Sequence, residues 1–312
     1  MSVPVKTKLR SAAVTLLFLS LQNRLVPKLL PFKGPPVLIL SYPRSGSSWV
    51  GKILATSPGA AYLREPITQQ YMFIQGGKFA LADVDNDPSA FSIYRQLSDP
   101  AFQGIPPRHA QTVHNLQDFF YSQRTKKRLI IKEVNPRATR FYCERYKPKV
   151  LLLLRHPAAV ALSFYQLGWI DSPDVQIDTG NPTDNEWRRF GYTYGTLMHN
   201  SIETLKEYGN HEIVIYRNLA ADPQNGFRKL FNALDLEVPA NYDDVIRKYC
   251  YSSKTIQERG EVERTSSNMI FKWRNELSQQ QVSDLQSGFM RSKLEYYRDE
   301  HEWAPVDAGA NS

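Results

Sequence analysis

Cysteine is scarce in this chain: only Cys143 and Cys250 occur in 312 residues. Two thiols exclude a disulfide scaffold and any multi-cysteine zinc module. One bridge between them stays open, and with it the redox compartment. Histidine is nearly as rare, at six, and shows neither a His-Glu-x-x-His helix nor another metal spacing, so no metal site is expected. Long apolar runs are missing too. The N-terminal stretch Ala12–Leu21 has about half of the roughly 20 apolar residues that a membrane-crossing helix needs. Acidic residues are in deficit, with 31 Asp and Glu against 39 Lys and Arg, a net charge of +8. That excess suits an anionic ligand, a nucleic acid or an acidic membrane surface. No nucleic-acid motif accompanies it, and nucleic acid is not expected as a partner. The run Asp83-Val84-Asp85-Asn86-Asp87 opens like a calcium loop. Pro88 stands where glycine is needed and Tyr94 where the bidentate glutamate belongs, so it reads as a solvated acidic turn.

What is present is the alternation of an α/β domain. Apolar residues make up 42% and charged residues 22%, enough to bury a core. Val37–Leu40, Leu129–Ile131, Val150–Leu154 and Ile213–Tyr216 are short apolar runs that read as buried parallel strands. Helical patterns separate them. One covers Ala158–Gly168, and Trp187, Phe190, Tyr194, Leu197, Met198, Ser201, Ile202 and Leu205 share one face of a longer helix. Asp222-Pro223 is an N-cap with proline at the first helical position. The expected fold is a three-layer, P-loop-like α/β fold: a central parallel sheet with helices on both faces. Its ligand site belongs at the carboxyl ends of the strands. Residues 35–303 form this domain, residues 67–127 read as a polar, irregular insertion or lid over the acceptor site, and residues 304–312 as a flexible tail. Residues 1–34 form a basic and apolar helical segment. It reads in three ways: an amphipathic helix packed on a cytoplasmic domain, a basic helix in peripheral contact with a membrane through residues 1–30, or a weak signal anchor. The first is favoured.

The most informative segment is Val37-Leu38-Ile39-Leu40-Ser41-Tyr42-Pro43-Arg44-Ser45-Gly46-Ser47-Ser48-Trp49. An apolar strand enters a loop of small residues, and a helix pattern follows. Small residues let backbone N–H groups converge, the helix N-terminus adds partial positive charge, and Arg44 adds a full one. This is an anion cradle. It is not a nucleoside triphosphate loop of the Walker type, because the first glycine and the lysine are missing. The buried runs end in Arg155 and Arg217, where a magnesium site would want an aspartate.

Tyr42 through Trp49 resembles the 5′-phosphosulfate loop of the sulfotransferases, which use 3′-phosphoadenosine 5′-phosphosulfate (PAPS) as donor. Their second signature, a buried strand ending in Arg and Pro before a helix bearing Ser, is matched by Leu151-Leu152-Leu153-Leu154-Arg155-His156-Pro157 and Ser163. Tyr216-Arg217-Asn218-Leu219 resembles the family's Tyr-Glu-Asp-Leu stretch, with Arg217 and Asn218 replacing its acidic pair. Ser267-Asn268 and Trp273-Arg274-Asn275-Glu276-Leu277 resemble the carbohydrate sulfotransferases rather than the cytosolic aryl and steroid branch. The resemblance spans about Pro36 to Trp303.

The resemblance implies roles residue by residue. Arg44, Ser45, Gly46, Ser47, Ser48 and Trp49 would hold the 5′-phosphosulfate, with Trp49 either stacking on adenine or packing in the helix core. Arg155 and Ser163 would bind the 3′-phosphate, with Tyr216 in the same site and Arg264, Ser267 and Asn268 as further candidates. The base would be Glu65, which precedes Pro66 as the base does in carbohydrate-type enzymes. Glu133 is its reserve, and a surface pair with Arg64 is the plainer reading of Glu65. Lys132 and Arg44 would stabilise charge on the departing oxygen. The cytosolic branch's histidine is replaced by Val134. The implied reaction moves a sulfuryl group by in-line displacement to a hydroxyl of a carbohydrate or small polar acceptor. A P-loop nucleotide-dependent kinase, or a non-catalytic anion-binding protein on the same fold, is the alternative.

Overall fold

The computed structural model describes residues 25–77, 80–107, 112–172, 176–251 and 270–304, together with Ala12 and Leu16. The expectations for Arg264, Ser267, Asn268, the tail and most of the N-terminal segment fall outside the described residues. Among the described residues, no helix is long and apolar enough to cross a membrane.

Five parallel strands make one sheet: β1 (Val37–Ser41), β2 (Ala60–Arg64), β3 (Arg128–Glu133), β4 (Lys149–Leu154) and β5 (His211–Ile215), in the order β2-β3-β1-β4-β5. β1 is central, and the winding reverses beside it. This places a topological switch point, the usual ligand crevice of such sheets, at the carboxyl end of β1. Side chains alternate between two core layers. Leu38, Leu40, Ile131, Leu152 and Leu154 enter one layer. Val37, Ile39, Ile130, Leu151 and Leu153 enter the other. Burial on both faces explains why these strands read as continuous apolar runs. Cys143 and Cys250 are both free and buried, one in each layer.

Helices cover both faces. α1 (Ser47–Leu54) leaves the β1 loop, while α2 (Thr68–Ile74) and α3 (Pro88–Phe102) follow β2. Then come α4 (Thr139–Tyr146), α5 (Pro157–Gln166), α6 (Glu186–Tyr208), α7 (Tyr216–Ala221), α8 (Pro223–Ala233) and α9 (Gln279–Met290). The Asp222 carboxylate accepts from the Asn225 amide and caps α8, as Asp222-Pro223 implied. Backbones of α6 and α9 approach closely: a Cβ on Gly288 would lie 2.0 Å from the Arg188 carbonyl oxygen.

Three boundaries differ from the sequence reading. β2 was not anticipated, since Ala60 and Ala61 carry little strand signal. β5 ends at Ile215, and Tyr216 opens α7. Residues 67–127, read as irregular, contain α2 and α3, and Tyr71, Tyr94 and Val113 from this segment are buried in the first core layer. Residues 84–86 do form a turn, closed by the Asp87 amide donating to the Asp83 carbonyl at 2.9 Å, and Asp85, Asn86 and Asp87 are exposed. Asp87 has a second role the sequence reading missed, since its side chain accepts from the Ser89 amide at 2.8 Å and caps α3, with Pro88 next.

Candidate active site

The loop after β1, expected as an anion cradle, turns through residues 42–46 before α1 begins. Arg44 sits in the left-handed region at φ 66° and Gly46 at φ 96°. At Gly46 a side chain is excluded twice: the backbone angle strains L-residues, and a Cβ would come within 2.7 Å of the Tyr216 ring. Ser41 Oγ donates to Ser47 Oγ at 2.8 Å, tying the strand end to the first residue of α1. The Ser45 hydroxyl is fully buried and has no hydrogen-bond partner among the described residues. A buried hydroxyl without a partner is costly, and an anion's oxygen in the cradle would satisfy it. Trp49 is half-buried. Its indole N–H donates to the Tyr249 carbonyl at 3.1 Å, and its ring meets Tyr216 and Phe227 edge-on. These contacts are those of the packing alternative.

The second signature meets the first. Arg44 Nε donates to Ser163 Oγ at 2.9 Å, and Arg155 donates to the Arg44 carbonyl oxygen at 3.0 Å. The Arg155 guanidinium also lies 4.6 Å from the centre of the Tyr216 ring. Burial pulls the Arg155 pKa below its ordinary value, with nearby tyrosines opposing the shift. Four predicted donor-site residues, Arg44, Ser163, Arg155 and Tyr216, thus form one connected group around Gly46.

His156 was not singled out from sequence. Its Nδ1 accepts from the Ala158 amide at 3.2 Å and caps α5. Its ring stacks on Trp273 with centroids 4.7 Å apart, joining the C-terminal Trp273-Arg274 segment to the Arg155 turn. Burial, together with the charges of Arg274, Arg217 and Arg155, pushes the imidazole down to about 3. The only cue in the sequence was position: a polar residue directly before Pro157. Arg217, expected at a strand end, is instead the second residue of α7 and pairs with Glu302 at 2.8 Å.

On the other side of β1 lies a carboxylate–ammonium pair. Register sets Arg64 beside Lys132, so Glu65 turns over the end of β3. Lys132 Nζ donates to Glu65 Oε1. The Glu65 amide donates to the Lys132 carbonyl at 2.7 Å, and Gln69 donates to Glu65 Oε2 at 3.4 Å. Glu65 is itself left-handed, at φ 49°. Burial alone would raise its pKa, but the charge and hydrogen bond of Lys132, with Arg64 and Gln69, outweigh burial and hold the carboxyl below its ordinary value. Burial pulls Lys132 down, against the support of Glu65. The partner of Glu65 is therefore Lys132, in addition to the influence of Arg64. Glu133 is fully buried and directed elsewhere: it accepts from the Ile67 amide at 2.7 Å, the Thr68 amide at 3.1 Å and the Thr68 hydroxyl.

A parallel α/β sheet thus carries at its switch point a loop containing Arg44, with Arg155 on one side and a carboxylate–lysine pair on the other, a rim suited to an anionic ligand. The comparisons specify it further. A family model for the sulfotransferase domain matches residues 34–298, and the chain belongs to that family. No curated protein sequence matches the chain significantly. Among solved structures, the sulfotransferase domain of the Synechococcus PCC 7002 olefin synthase is 18% identical, with 83% of this chain and 95% of that one covered and a TM-score of 0.47. The sulfotransferase domain from the curacin biosynthetic pathway is 15% identical, with 84% and 99% covered and a TM-score of 0.48. Mouse sulfotransferase SULT7A1, solved in complex with PAP, is 16% identical, with 90% and 93% covered and a TM-score of 0.44.

Proposed function

We propose that this protein transfers a sulfuryl group from PAPS to a hydroxyl of a carbohydrate or small polar acceptor, with Glu65 as general base. Family membership supports the reaction class. The observation that carries the assignment of residues is the contact chain Arg155–Arg44–Ser163 around the β1 loop, with the Glu65–Lys132 pair on the neighbouring strands. The loop amides, Ser45 and Arg44 would hold the 5′-phosphosulfate, and Arg155 and Ser163 the 3′-phosphate. Glu65 would take the acceptor's proton as the acceptor oxygen bonds to sulfur and the bond from sulfur to the bridging phosphate oxygen breaks. Lys132 keeps Glu65 ionised at neutral pH and offers positive charge for the departing oxygen. Glu65 before Pro66, and Val134 where the cytosolic branch has histidine, favour the carbohydrate-type reading.

The test is transfer of labelled sulfuryl from PAPS to a panel of sugars, polyols and phenols. Labelled sugar or polyol is expected. Labelling confined to phenols refutes the acceptor class. Glu65→Gln should leave affinity for 3′-phosphoadenosine 5′-phosphate (PAP) intact and slow turnover about 10²-fold, the usual scale for a general base. Near-normal turnover removes Glu65 from the role.

A further inference from the structure

Glu133 is a buried carboxylate that the proposed mechanism does not use. Strand alternation sends it to the opposite side of the sheet from Lys132. Its neighbours Leu129 and Ile131 on the same face belong to the first core layer, and Ile130, which shares the face of Lys132, belongs to the second. Glu133 is 0% exposed, so no substrate at the rim reaches it. All of its hydrogen bonds go to one place. Ile67 N, Thr68 N and Thr68 Oγ1 all donate to its two oxygens. These residues directly follow Glu65-Pro66 and begin α2.

The consequence falls on Glu65. A non-glycine residue in the left-handed region persists only when its surroundings over-determine it. At Glu65 the preceding side is fixed by β2 and by the bond from its amide to the Lys132 carbonyl. The following side is fixed by Glu133. Consecutive residues of β3 thus grip the same turn from two faces: Lys132 takes the Glu65 side chain, and Glu133 takes the backbone just beyond it.

We infer that Glu133 is a positioning residue for Glu65, holding the 66–68 turn so that the Glu65 carboxylate stays at the rim against Lys132. This rests on the reading of Glu65 as base. It assigns Glu133 no proton transfer of its own. Thr68 is its partner, since the Thr68 hydroxyl is the side-chain donor in the clamp.

The experiment is a double-mutant comparison with PAPS as the probe and water as acceptor, reading the release of PAP in single turnovers, with PAP affinity measured in parallel. Glu133→Gln keeps shape and volume but sets an NH2 group against an amide donor. It should slow turnover about tenfold or more through misplacement of the base, with PAP affinity unchanged. In a Glu65→Gln background the same change should add nothing. Thr68→Val should reproduce a smaller loss, and Thr68→Ser should restore it. These two variants carry the test if Glu133→Gln does not fold. Losses that multiply in the double mutant, or a Thr68→Val variant that turns over normally, overturn the inference while leaving Glu65 as base. A Glu65→Gln enzyme at the wild-type rate overturns the base assignment itself, and Glu133 falls with it.

Discussion

Arg44 and Arg155 lie together, and their partners include a serine hydroxyl, a backbone carbonyl and an aromatic face. Donors so arranged become stronger when an anion arrives, because charge-assisted bonds in a partly dry site exceed neutral ones. Arg44→Ala and Arg155→Ala are each expected to weaken PAP binding by about 10- to 100-fold, the scale of a lost hydrogen bond to a charged group. Calorimetric titration checks this, and wild-type affinity in both variants would dismantle the donor site. At this scale the sequence spoke clearly where a charge ended an apolar strand or sat among small residues, as Arg155 and Arg44 do. It was silent on the pairing of Glu65 with Lys132. That contact depends on the register of β2 against β3, and β2 was hidden behind Ala60 and Ala61. The Ser45 hydroxyl, without a partner among the described residues, was equally invisible, since satisfaction of a buried group is a property of the fold.

Elements were legible when their signals were redundant. Asp222-Pro223 announced α8 because an apolar face followed it. Asp87-Pro88 is the same signal, and it starts α3, yet the surrounding aspartates resembled the start of a cation loop and masked it. The His156 cap of α5 leads to a pH dependence. Its imidazole is neutral in the fold, pushed from an ordinary 6.5 down to about 3 by burial and by three arginines. A depressed folded-state pKa means that the contribution is complete above the unfolded value of 6.5 and is lost as pH falls towards about 3. Moving from pH 7.5 to pH 5 should therefore cost up to about 2 kcal/mol at this residue. His156→Asn keeps an acceptor for the Ala158 amide. It should lower stability at pH 7.5, by loss of the stack on Trp273, and flatten the acid dependence. Urea midpoints at the two pH values measure both, and an unchanged acid slope would contradict the account. Packing of α6 on α9 is tested by Gly288→Ala, whose Cβ would meet the Arg188 carbonyl. Overpacking of this kind costs about 1–3 kcal/mol and should appear as an earlier urea midpoint at unchanged PAP affinity.

At the scale of the whole molecule, sheet order and charge converge on one rim. β1 lies between β3 and β4, so the loop carrying Arg44 has the Glu65–Lys132 pair on one side and Arg155 on the other. The net charge of +8 supplies a long-range field of the sign that suits a nucleotide bearing three anionic groups. A Mg-dependent nucleotide enzyme would need a different rim, with a lysine in the loop and an aspartate closing a strand. Here Arg44 and Arg155 take those places, and both interact with the loop itself. The two demands separate in a thermal-shift experiment. PAP at roughly a hundred times its dissociation constant should stabilise the fold by about 2.7 kcal/mol, a rise in melting temperature on the order of 5–10 °C for a domain of this class. Mg-ATP lacks the 3′-phosphate that Arg155 and Ser163 would hold, and should give a smaller rise at equal concentration. Added salt should shrink the PAP effect by screening the cationic rim. A larger shift with Mg-ATP than with PAP would mean that the rim recognises a triphosphate, and the sulfuryl-donor assignment of Arg44 and Arg155 would have to be abandoned.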